Sequence, residues 1–114
     1  MAMTSDTPVL DTIAAMTVDS LERCEMDPHT LILTRLAALA AMDAPPISYL
    51  AHIGASQAAE VTLEQVQDLL VAVAPVIGTA RVMSAAGHIT EAMGFAIAVA
   101  EDDTMAANGK SKKK

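Results

Sequence analysis

The chain has 114 residues, which is one small domain, and its hydrophobic fraction is 53% with aromatics at only 2%. Its formal charge is −7, and four of the seven basic residues are Lys110, Lys112, Lys113 and Lys114, leaving three arginines against fourteen acids in the body. An acidic body repels phosphate backbones and speaks against nucleic-acid binding. The missing β-branched and aromatic alternation speaks against strands.

Residues 1–26 read as an N-terminal segment of short helices. Thr4 to Pro8 is a polar start, Val9 to Met16 suits one short helix, and Thr17, Asp19 or Ser20 suits the cap of a second short turn through Cys24. The start has no basic region and no long apolar run of the secretory kind, so the cytoplasm is the expected location. Cys24 is the only cysteine and has Glu22, Glu25 and Asp27 close in sequence. A nucleophilic thiol wants the opposite surroundings, so a structural role is expected.

The helical core is expected over 27–101. Asp27-Pro28 is a helix start, with a capping carboxylate and proline in the first turn, and the helix runs to about Met42. Asp43-Ala44-Pro45-Pro46 breaks it. A second core helix runs from about Pro46 to Ala59. Thr62-Leu63-Glu64-Gln65 is a capping box that opens a third through about Ala74. Pro75 and Gly78 bend or end it, and a last helix spans about Thr79 to Glu101. Residues 102–114 read as a disordered Lys-rich tail. The fold class is all-α, with five to six helices. Apolar positions cover more than one helix face, as in Ala85, Ala86, Ala92, Ala96, Ala98 and Ala100, so a homo-oligomer is expected. No apolar run reaches the ~18 residues that span a bilayer, and no membrane role is expected.

Ser48, Tyr49 and His52 lie within one helical turn. Two readings stand beside each other. His52 works as a general acid or base with the two hydroxyls as partners, or it is a half-buried helix residue satisfied by a hydroxyl. No third residue completes a nucleophilic triad. Arg81 is the one cation of the C-terminal helices. It suits a substrate carboxylate, and it suits equally a pairing with Asp68 or Glu64. His29 is expected in solvent. His88, with Glu91 beside it, gives too few ligands for a metal site, so no metal and no cofactor are expected. The isolated glycines form no phosphate loop, and the dispersed methionines read as core filler.

The order Leu36-Ala37-Ala38-Leu39-Ala40-Ala41, the Pro45-Pro46 to His52 helix start, the Thr62 cap and Ala74-Pro75-Val76-Ile77-Gly78 resembles the carboxymuconolactone decarboxylase family, which includes AhpD-like proteins. The resemblance covers roughly Asp27 to Phe95. It implies an AhpD-like helical fold, assembled as a homotrimer or homohexamer. By the register that it implies, the family's paired cysteines fall on Pro46 and Tyr49, its active-site histidine on His52, and its relay glutamate on Thr34. Thiol peroxidase chemistry is excluded on those residues. The resemblance leaves decarboxylation or isomerisation of a small organic acid or lactone, with His52 as acid–base residue and Tyr49 and Ser48 as its partners. The alternative is a non-catalytic small-molecule-binding or assembly protein on the same scaffold.

Overall fold

A computed structural model describes residues 5–108. Among them lie five α-helices and no strand: α1 (Pro8–Arg23), α2 (Pro28–Ala41), α3 (Pro46–Ala58), α4 (Leu63–Ile77) and α5 (Thr79–Asn108). Helices α2 to α5 form the core unit. α2 packs on α3, α4 and α5, and α5 packs on α3 and α4 as well. The apolar stripe Leu31, Ile32, Leu36 and Ala40 explains the central place of α2, because these residues recur at helical spacing and all are buried. Tyr49 from α3, Leu69 from α4, and Ile89 and Ala92 from α5 close the core against them. Ala40 and Ala85 are fully buried, so α2 and α5 each present a side chain too small to hold neighbours apart.

The helix starts follow from local chemistry. Asp27 caps α2, its carboxylate accepting from the Thr30 amide at 3.4 Å, with Pro28 in the first turn. Thr30, through its side chain first and its amide second, holds the Asp27 carboxyl below its ordinary range. At α4 the capping box closes both ways: Gln65 N donates to Thr62 Oγ1 at 3.1 Å, and Thr62 N donates to Gln65 Oε1 at 2.9 Å. Thr62→Ala is expected to cost about 1 kcal/mol, read as a lower urea midpoint with unchanged slope.

Three expected boundaries are corrected. The two short N-terminal helices are one, α1, over sixteen residues. Nothing between Met16 and Val18 breaks a helix, and Asp19 spends its carboxylate on Arg23 one turn on, at 2.9 Å, instead of capping. α4 passes through Pro75 and ends only at Gly78. A proline in the last turn forfeits a single bond, to the carbonyl of Val71, and Val71 is exposed where water reaches it. Gly78 then turns the chain at φ 92°, a backbone region that only glycine adopts readily. Finally, α5 continues to Asn108, so residues 102–108 of the expected tail are helical, while 109–114 with their lysines lie outside the described residues. No described helix is long and apolar enough to cross a membrane.

Candidate functional site

The α2–α3 connection is built by α5. Met42, Asp43 and Ala44 turn the chain, with Asp43 in the left-handed region at φ 55°. Aspartate tolerates that conformation better than most residues. Three polar side chains of α5, spaced three and four apart, hold the turn. Arg81 Nη1 donates to the Ala41 carbonyl, Ser84 Oγ donates to Asp43 Oδ1 at 2.6 Å, and His88 Nδ1 donates to the Ala44 carbonyl at 2.8 Å. Arg81 therefore closes the C-terminus of α2 and does not pair with Asp68 or Glu64. It is exposed and lines no cavity in the core.

With the turn fixed, Pro45 and Pro46 start α3 and bring Tyr49 into the core at 2% exposure. The Tyr49 hydroxyl is buried and has no hydrogen-bond partner among the described residues. Burial pushes the Tyr49 phenol above its ordinary range, and the Asp43 carboxylate pushes it the same way. The phenol is thus a neutral donor at physiological pH.

Tyr49 is a wall of a cavity of about 100 Å³ between α2, α3, α4 and α5. Leu36, Ile53, Val66, Ile89 and Met93 supply its apolar lining, and Gln57 and Leu63, both exposed, stand where it reaches the surface. The other hydroxyls on the wall are already engaged. Ser56 Oγ donates to the His52 carbonyl at 2.8 Å, and Thr62 Oγ1 accepts within the capping box. Of the residues that form the wall, Tyr49 keeps an unspent hydroxyl, buried behind its ring, and among the described residues no carboxylate, histidine, lysine or arginine lines the cavity.

His52 is half-buried and is not part of the cavity wall. Its Nδ1 donates to the Ser48 carbonyl of its own helix at 2.9 Å, and neither the Ser48 nor the Tyr49 hydroxyl bonds to it. The cavity lies on the α3 face marked by Tyr49, Ile53 and Ser56, which leaves Ser48 and His52 at its edge. The expected trio is therefore divided: Tyr49 belongs to the cavity and the other two residues do not. Thr34 is exposed and returns its hydroxyl to the Thr30 carbonyl at 2.8 Å.

Sequence reasoning placed His29 in solvent. Instead it is half-buried, and its Nε2 donates to Gln65 Oε1 at 2.7 Å, tying the start of α2 to the capping box of α4. Cys24 is half-buried and packs against the core, as a structural thiol does. Among the described residues no group of three His, Cys, Asp or Glu side chains is arranged to hold a metal ion. Comparison with known proteins finds no family model, no curated protein and no solved structure that matches this chain.

Proposed function

We propose that the protein binds a small, neutral, largely apolar molecule carrying a carbonyl oxygen, of the lactone, cyclic ketone or ester kind, in the Tyr49 cavity. The observation that carries this is an otherwise apolar cavity walled in part by Tyr49, whose hydroxyl is buried behind that wall without a partner and is reached by a small turn of the ring. Leaving a buried donor unpaired costs about 1–3 kcal/mol, a cost that a bound acceptor removes. Small-molecule sites are commonly apolar with few convergent polar groups.

Charge decides between an acid and a neutral carbonyl compound. Among the described residues no cation lines the cavity, and Arg81 is engaged at the end of α2. The nearby carboxylate of Asp43 opposes a second negative charge. A carboxylate would enter unpaired, at a cost far above that of an ester or ketone. Size sets the second limit. A closed cavity of 150 Å³ takes benzene, so about 100 Å³ encloses roughly four heavy atoms, and a five-membered ring fits with one edge at the opening beside Gln57 and Leu63.

The scaffold is read as a relative of the carboxymuconolactone decarboxylase family that lacks the paired active-site cysteines. The break at Gly78 before the last helix and the order of α2 to α5 support that reading. Binding without catalysis is the favoured form, because Nδ1 of His52 is committed to its own helix and His52 stands off the cavity wall.

Calorimetric titration with cyclopentanone, cyclopentane and cyclopentanecarboxylate tests the proposal. The ketone is expected to bind most tightly, the hydrocarbon more weakly and the carboxylate least. Ala92→Leu, which fills the cavity from α5, is expected to abolish ketone binding while the helical signal persists. Preference for the carboxylate, or equal ketone binding by the filled variant, would contradict it.

A further inference from the structure

The first helix is the least explained element of this fold. Every residue of α1 is exposed, and α1 packs against none of the other helices among the described residues. Its sequence nevertheless has an apolar face. Val9, Leu10, Ile13, Met16 and Leu21 fall within one arc of the helix, with Thr17 and Ser20 among them; Asp11, Asp19 and Glu22 lie on the other side, and Arg23 borders the apolar arc next to Met16. Leu10 is 63% and Met16 65% exposed, so the face presents several hundred Å² of apolar surface, more than a monomer ordinarily shows in one patch.

Its helical state also needs an explanation. Helices shorter than ~12–15 residues are marginal in water even with Ala-rich sequences, and sixteen residues are barely longer. α1 also includes the β-branched Val9, Thr12, Ile13, Thr17 and Val18, which lower helix propensity. A helix of this composition persists when its apolar face is covered.

The same chain carries a second uncovered apolar patch. At the corner between α4 and α5, Val71, Val76 and Met83 are exposed, Val76 at 82%, with Pro75 and Ala80 between them. We infer that the two patches cover each other between two copies of this chain, α1 of one copy lying on the α4–α5 corner of the next. In a two-fold dimer the contact is made twice, so each copy contributes one donor face and one acceptor face and both of these patches are covered. Counting both patches, the apolar area approaches the ~800 Å² per partner that a standard stable interface buries. Charge argues against an anionic lipid surface as occupant, because the polar face of α1 holds three acids against Arg23 and the whole chain is at −7. This inference is independent of the ligand in the cavity.

Light scattering across micromolar concentrations tests it on the full chain and on two double variants, Ile13→Asp/Met16→Asp and Val76→Asp/Met83→Asp. The unaltered chain is expected to give a dimer or a larger closed assembly. Each double variant is expected to weaken association roughly thirtyfold or more, the loss of a hot-spot contact. All four positions are exposed, so the core keeps its cooperative unfolding. Hydrogen exchange should protect α1 amides in the assembly and release them on dilution. A monomer mass for the unaltered chain would overturn the inference. So would an assembly that either double variant leaves intact, or a monomer that binds uncharged phosphatidylcholine vesicles through α1.

Discussion

Replacing Leu36 with alanine is expected to destabilise the fold by about 3 kcal/mol, within the 2–5 kcal/mol span of such core truncations. Leu36 is 6% exposed, belongs to the stripe by which α2 joins its neighbours, and also walls the cavity. Truncation therefore enlarges a space that already exists, and little around it can collapse. Urea unfolding followed by circular dichroism reads the loss as a lower midpoint. An apolar ligand restores part of it, because binding to the native state alone stabilises by mass action. Saturating cyclopentane is expected to shift the midpoint of Leu36→Ala more than that of the unaltered chain. A control lies at the mouth: Leu63 is 53% exposed, so Leu63→Ala should cost far less.

Tyr49→Phe is expected to separate binding from stability. The substitution removes one oxygen and leaves the ring in place. Where a buried hydroxyl is bonded within the protein, its loss destabilises the fold. Here the hydroxyl has no partner to lose, so the variant should be as stable as the unaltered chain or more stable, by up to about 1 kcal/mol. Ketone affinity should fall by about tenfold, the worth of one hydrogen bond to a neutral acceptor. The variant should also resist alkali better. The Tyr49 pKa is raised in the folded state, so its contribution is fully present below the unfolded value near 10 and is lost as pH rises through the folded value. Phenylalanine has no proton to lose, and the stability of the variant should stay flatter across that window.

The balance between what could and could not be read from the sequence follows the range of each interaction. Asp27-Pro28 and the Thr62–Gln65 box are contacts within one turn, and both stand where local chemistry puts them. The all-helical class follows from the same short-range patterning. What failed to show is what spans the chain. His29 meets Gln65 across 36 residues, and Arg81, Ser84 and His88 reach the turn after α2 from about 40 residues away. In the sequence these are single polar residues in apolar helices, with nothing to mark the carbonyls they serve. The candidate site divides for a related reason. Spacing makes Tyr49 and His52 neighbours, but it does not say which side of that pair faces the core. The packing of α3 on α5 sets that direction, and it selects Tyr49, Ile53 and Ser56. The unpartnered hydroxyl was legible only as a tyrosine among alanines and leucines.

Tyr49 is the sole tyrosine, and the chain has no tryptophan, so its phenol can be followed by ultraviolet absorbance without interference. The most direct measurement is an alkaline titration of that absorbance, with helicity monitored alongside, in the absence and presence of saturating cyclopentanone. The account predicts ionisation above the ordinary tyrosine value of about 10, moved higher again by the ketone, because the carbonyl accepts from the protonated phenol. A phenol that ionises as free tyrosine does while the helices remain intact, and that ignores the ketone, would contradict the account.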